Sequence, residues 1–217
     1  MEIKRLHLAR LTAPGGGGEW PVHGFVVTHP KGAVLVDTGA GGPAKVLSDW
    51  RVVNRSVAGA LAGLDMTPGD IGLVINTHLH FDHCGQNSVF KHAPCYVQRA
   101  ELARARRESP GLCDWFGFMD ASFELLDGDA EILPGLSVIA TPGHTVGHQC
   151  VVVDASTPEL LIGDAAYTPR QYRAVSADGL PPGQASDPVS WQDSLQRIRS
   201  VAGARVHFCH HTSIEHN

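Results

Sequence analysis

Apolar residues fall in short runs separated by turn formers, and most runs carry the period of a strand rather than of a helix. Residues 3–11, 24–28 and Ala33–Val36 read as strands of a meander, punctuated by His29-Pro30-Lys31-Gly32. Residues 43–64 read as helical in part, and Thr67-Pro68-Gly69-Asp70 opens a short turn before the apolar stretch Ile71–Ile75. A strand at Cys95–Gln98 leads into a helix over 99–107, and further strands are predicted at 131–140, 150–154 and 159–162. Asp187 and Pro188 supply a cap and a first position for a helix over 189–201, and 205–208 reads as the last strand. Strands, then helices, then strands, then helix and strand predict an α/β fold. The expected form is an αββα sandwich, two mixed β-sheets flanked by helices, with the functional residues at one edge.

The run from His78 to His83, HLHFDH, directly follows the Ile71–Ile75 stretch and packs three imidazoles and a carboxylate into one short segment. In extended backbone, residues two apart share a side, so His78 and His80 aim together off the strand end. A turn into helix then returns Asp82 and His83 to the same spot. Such a set suits zinc or a similar divalent ion. The bland alternative is a histidine-rich surface turn, because the chain carries 13 His among 217 residues. Other strand ends weigh against it. Thr141-Pro142-Gly143-His144 follows one apolar run, Asp164 closes Leu160-Leu161-Ile162-Gly163, and His207, His210 and His211 close the last. Ligand-type side chains at several strand ends are how α/β scaffolds assemble sites.

At 217 residues the expectation is a single domain, 1–217, of one core or two fused half-units. Apolar content of 43% with 18% charged residues places it among ordinary globular chains. No apolar run approaches the roughly 18 residues that span a bilayer, and the start MEIKRLHLAR lacks an apolar signal core. A cytoplasmic location and no membrane partner are therefore the defaults. Five cysteines without a CxxC pair favour reduced thiols. Cys84 and Cys209 adjoin candidate ligands, but neighbours in sequence face different ways, so a packing role is expected for both. The formal charge of -5 gives no basic field for nucleic acid. The one basic cluster, residues 99–107, reads as a solvated helix face. The Gly15 to Gly18 run reads as a flexible loop without the Gly-Lys-Ser/Thr ending of a phosphate-binding loop.

These residues resemble the metallo-β-lactamase superfamily over nearly the whole chain. Leu35-Val36-Asp37-Thr38-Gly39, HLHFDH, Pro142 to His148, Gly163-Asp164 and His210 follow the family's order. Within it, Tyr96 to Glu101, Pro142 to Gln149 and Asp164-Ala165-Ala166-Tyr167-Thr168 are similar to the N-acyl homoserine lactone lactonases. The resemblance implies two divalent ions, zinc first, with Co2+, Mn2+ or Fe2+ as alternatives. His78, His80 and His144 would hold one ion, Asp82, His83 and His210 the other, and Asp164 would bridge. The adjacent His211 competes for the last position, where alignment through Phe208 favours His210.

What the resemblance implies chemically is opening of a lactone ring by a hydroxide shared between the ions. Tyr167 would stabilise the oxyanion, and Asp82 would relay a proton to the leaving oxygen. The lesser alternative for Tyr167 is a packed tyrosine with its hydroxyl satisfied at the surface. Asp37 either orients a ligand imidazole or caps its own turn, and Phe81 either lines a substrate pocket or fills core. His7, His23, His29, His92, His148 and His216 read as surface or core histidines. The alternative functions are a thioesterase of the glyoxalase II type and a promiscuous esterase or phosphotriesterase on the same site. A diiron redox module, which would carry Glu at the place of His80, and a nuclease, which would need a basic surface, rank lower. The expected partner is a small-molecule ester or lactone, with a homodimer as the candidate assembly.

Overall fold

The computed structural model describes residues 1–15, 18–108, 116–178, 180 and 183–217. The first half forms β1 (Glu2–Thr12), β2 (Glu19–Thr28), β3 (Ala33–Val36), α1 (Ala44–Asp49), β4 (Val53–Asn54), α2 (Val57–Ala62), β5 (Ile71–Ile75), β6 (Cys95–Gln98) and α3 (Arg99–Glu108). The second forms β7 (Phe123–Leu126), β8 (Ala130–Leu133), β9 (Leu136–Ala140), β10 (Gln149–Val153), β11 (Glu159–Leu161), α4 (Pro169–Tyr172), α5 (Pro188–Arg199), β12 (Arg205–His207) and β13 (Ile214–His216).

The strands make two sheets, in the orders β4-β1-β2-β3-β5-β6-β7 and β13-β12-β11-β10-β9-β8. Both are mixed: β3, β5, β6 and β7 run parallel in the first, as do β11 and β12 in the second. Alternation along each strand decides what each face buries. Phe25, Val27, Val34, Val36, Leu73 and Ile75 face Leu136, Val138, Val151, Val153 and Leu161 across the sandwich. Their alternates Val26, Leu35 and Val74 pack outward under Val57, Ala60 and Leu61 of α2. On the other side Cys150, Leu160 and Val206 lie under Trp191, Leu195 and Ile198 of α5. Each such burial stabilises by about 1.5–3 kcal/mol. The αββα sandwich expected from the sequence is the fold observed.

Differences from the expectation have local causes. Strand β2 begins at Glu19, and its Pro21 is tolerated because β3 reaches only as far as Phe25. The 43–64 helical region divides into α1 and α2 around β4, which pairs with β1 at Ala9 and Arg10. Residues 131–140 form a hairpin that turns at Pro134-Gly135, where Gly135 has φ 78°. The short strand β13 follows β12, so 205–208 is not the last strand; with one apolar residue it carried no periodic signal. Strand β7 is a further element that the sequence pattern does not predict. Cys84, Cys95, Cys150 and Cys209 are free and buried, while Cys113 and part of the Gly15 to Gly18 run lie outside the described residues. Among the described residues no helix is long and apolar enough to cross a membrane.

Candidate metal centre

The loops after β5, β9, β11 and β12 converge at one rim. After β5 the chain makes a single turn in which the His83 and Cys84 N–H groups both donate to the His80 carbonyl. Leu79 points the other way, into a core with Val97 and Leu102. The turn brings His78 Nε2 to 2.9 Å from His80 Nδ1. From the loop after β9, His144 Nε2 lies 3.2 Å from His78 Nε2 and 3.1 Å from His80 Nδ1. The other ring nitrogens fix the tautomers. His144 Nδ1 donates to the Gln184 carbonyl at 3.1 Å, and His78 Nδ1 faces the Thr77 hydroxyl at 3.2 Å. The Nε2 lone pairs of His78 and His144 therefore meet at hydrogen-bonding distance, which is a geometry a cation resolves.

Asp164 divides its carboxylate between this group and a second one. Its Oδ2 lies 3.3 Å from His144 Nε2 and 3.8 Å from His78 Nε2. Its Oδ1 lies 3.2 Å from both His83 Nε2 and His210 Nε2. Asp82 Oδ2 sits 3.6 Å from His210 Nε2 and 3.9 Å from His83 Nε2. His210 Nδ1 donates to the Pro21 carbonyl at 2.8 Å, which aims its Nε2 at the Asp164 carboxylate. His83 Nε2 and Asp164 Oδ1 are buried and have no hydrogen-bond partner. Orphaned polar atoms of this kind are costly unless a charge satisfies them. The donor set thus fits two divalent ions sharing one carboxylate. His211 is turned away, accepting the Ser213 N–H on its Nδ1.

Charge in the cluster is strongly polarised. Burial and the neighbouring imidazoles push His78 and His80 well below the ordinary histidine range. Burial works the same way on His210, but the charge and hydrogen bond of Asp164, with Cys209 and Asp82, together hold its pKa up at about 10. Burial pulls His83 down as well, but Asp164, Cys209, Asp37 and Asp82 together raise it well above its usual value. Burial opposes ionisation of Asp164, yet His83, His210 and His144 hold its carboxyl well below the usual range.

Asp37 settles between its two expected roles. Its backbone has φ 60°, and its side chain reaches across the sheet rather than into its own turn. Oδ1 accepts the Thr77 N–H at 2.8 Å, and Oδ2 accepts from the Thr77 hydroxyl at 2.7 Å and from His83 Nδ1 at 2.8 Å. Asp37→Asn is expected to weaken metal binding by about 10–100-fold while the fold persists, measured by competition with a chromogenic chelator.

Glu101, Arg104, His148 and Gln184 support the centre in roles that the sequence does not reveal. Glu101 and Arg104 of α3 are buried, so residues 99–107 are not simply a solvated face. Glu101 accepts the Leu79 N–H on Oε1 at 2.9 Å and the Gly147 N–H on Oε2 at 3.2 Å. It thereby ties together the two loops that carry His80 and His144. Gly147 must be glycine, since a Cβ there would meet the Glu101 backbone nitrogen at 2.3 Å. His148, a buried histidine lowered by burial to about 3, accepts the Asp164 N–H on Nε2 at 3.1 Å. Gln184 donates to the Asp164 carbonyl at 2.8 Å. Its distance along the chain gave no signal, whereas Glu101 and His148 lie inside stretches already singled out.

The cluster forms the floor of a cavity of ≈ 570 Å³. Asp82, Asp164, Tyr167 and His210 face it from below, while Leu11, Trp20, Trp50 and Phe81 build an apolar wall. Phe81 thus lines the cavity and packs on Trp50, with ring centroids 5.6 Å apart. Tyr167 is 7% exposed and stands edge-on to His210 at 5.1 Å. Burial, then Asp164 and Asp82, raise its phenol well above the usual range, so it stays protonated.

A paired donor set at the rim of an αββα sandwich defines a metal-dependent hydrolase, and the chain belongs to the metallo-beta-lactamase superfamily, which it matches over residues 17–210. An N-acyl homoserine lactonase of Bacillus sp is 32% identical over 179 residues, covering 73% of this chain and 69% of its own. The N-acyl homoserine lactonase AttM of Azorhizobium caulinodans is 31% identical, covering 88% of this chain and 82% of its own. A solved quorum-quenching N-acyl homoserine lactone lactonase superposes with a TM-score of 0.80 at 26% identity, covering 96% of this chain and 91% of that one.

Proposed function

We propose that this enzyme hydrolyses the ring ester of N-acyl homoserine lactones, giving the open N-acyl homoserine and silencing the lactone as a signal. The observation that carries the reading is Asp164, whose two oxygens each face a separate imidazole group. The similarity to named lactonases gives the substrate class. His78, His80 and His144 with Asp164 Oδ2 would hold one divalent ion, and His83, His210 and Asp82 with Asp164 Oδ1 the other, both zinc. When bound, such a pair supplies Lewis acidity and a water acidified towards neutrality.

The chain's own residues account for the remaining chemistry. The protonated Tyr167 hydroxyl donates to the lactone carbonyl oxygen as negative charge develops there. Asp82, whose Oδ2 leans on His210, keeps Oδ1 for carrying a proton to the departing ring oxygen. Trp20, Trp50, Phe81 and Leu11 take the acyl chain and exclude water from it.

A pH-stat assay across acyl lengths, run beside a glutathione thioester and an organophosphate, tests the substrate class. The lactone is expected to give the highest kcat/KM, and a faster thioester would overturn the assignment in favour of a glyoxalase-II-like activity. Tyr167→Phe is expected to lower kcat by about 10²-fold, the scale for one oxyanion donor, with two ions still bound. An unchanged kcat would return Tyr167 to a packing role.

A further inference from the structure

We propose that Cys209 supplies a sulfur ligand to the ion held between Asp164, His83 and His210, making that half of the centre a mixed nitrogen, oxygen and sulfur site. The proposal rests on the dinuclear reading above and changes its chemistry at one ion. Ligand-capable atoms of His83, Asp164, Cys209 and His210 all lie within 4.8 Å of one another. Ligands of one zinc at about 2.0–2.3 Å stand about 3–3.5 Å apart, so closure, with Asp82 making this ion five-coordinate, needs side-chain movement on the order of 1 Å.

Two of those atoms, His83 Nε2 and Asp164 Oδ1, are among the buried polar atoms without a hydrogen-bond partner. Cys209 is 1% exposed, and its thiol makes one weak hydrogen bond, to the His23 carbonyl at 3.1 Å. One edge of the sulfur packs with Ala9, Leu11 and Val22, which explains its burial but not its nearness to the imidazoles. The argument that sequence neighbours face apart holds only in a strand, and β12 ends at His207. Beyond it the chain bends, and Cys209 and His210 both reach the cluster. Ligation releases the thiol proton to solvent and breaks the bond to the His23 carbonyl. The thiolate adds a soft donor that favours zinc or cobalt over manganese at this position.

The test strips the metal with a chelator and restores two equivalents of Co(II). A near-ultraviolet thiolate-to-cobalt absorption is expected in the wild type and is expected to vanish in Cys209→Ser, with both cobalts retained. X-ray absorption of the dizinc wild type gives a second reading that needs no variant: one sulfur at about 2.3 Å for every two zincs. Identical cobalt spectra at full loading, or no sulfur at that distance, would overturn the proposal even in a protein that still opens lactones. A protein that takes up no cobalt would remove the dinuclear centre itself, and the sulfur ligand with it.

Discussion

Asp164→Ala is expected to retain at most one ion and to lose lactone opening by roughly 10³–10⁴-fold, the equivalent of several kcal/mol of transition-state stabilisation. The reason is geometric. Oδ2 serves the His78, His80 and His144 group, while Oδ1 serves His83 and His210. An alanine removes the shared anion from both at once and leaves five imidazoles facing one another, with Asp82 as the carboxylate remaining beside the Nε2 atoms of His83 and His210. The three-histidine group can still chelate one ion. Metal analysis after gel filtration, beside the pH-stat rate, reads both halves of the expectation. Two retained ions with activity within tenfold of wild type would refute a bridging role. The backbone around Asp164 demands equal care in design. Gly163 has φ 50°, and a Cβ there would meet the Thr77 side chain at 2.7 Å, so neighbouring substitutions confuse the result.

The second large effect concerns a residue that touches no metal ligand side chain. Glu101→Ala is expected to destabilise the protein by about 3–5 kcal/mol, the scale for breaking a buried ion pair from one side. It strands the Arg104 guanidinium, whose Nη2 donates to Glu101 at 2.6 Å, with Glu108 as its remaining carboxylate. It also orphans the N–H groups of Leu79 and Gly147. In a chain of this size the loss corresponds to a melting temperature lower by about 10 °C. Because the freed groups lie in the two loops of the His78, His80 and His144 set, metal affinity is expected to fall as well. Glu101→Gln keeps an acceptor and is expected to recover part of the affinity. Thermal unfolding of the metal-free protein and chelator competition separate the two effects. Unchanged affinity in a destabilised Glu101→Ala would reduce Glu101 to a purely structural pair.

Much of the centre could be read from local spacing. HLHFDH places its side chains through one turn, a geometry that backbone chemistry fixes over a few residues. The apolar runs at 24–28, 33–36 and 71–75 read as strands, and the structure buries both their faces, Phe25, Val27, Val34, Val36, Leu73 and Ile75 on one and Val26, Leu35 and Val74 on the other. Asp187 was legible as a cap because its side chain serves the N–H groups of Val189 and Ser190, its near neighbours. Strands β4 and β13 were not legible, since each is short and exposed and exists only because a partner strand offers its edge.

The amino-acid order by itself determined the alternation that makes two sheets and the motif that gathers imidazoles at a strand end. Both depend on forces acting within a few residues. Only the tertiary structure decided that Asp164 splits its oxygens between two groups, that Glu101 is buried, and that Cys209 reaches the cluster. Each of those depends on contacts across dozens of residues, where burial and the field of distant charges, rather than spacing along the chain, set what a side chain does.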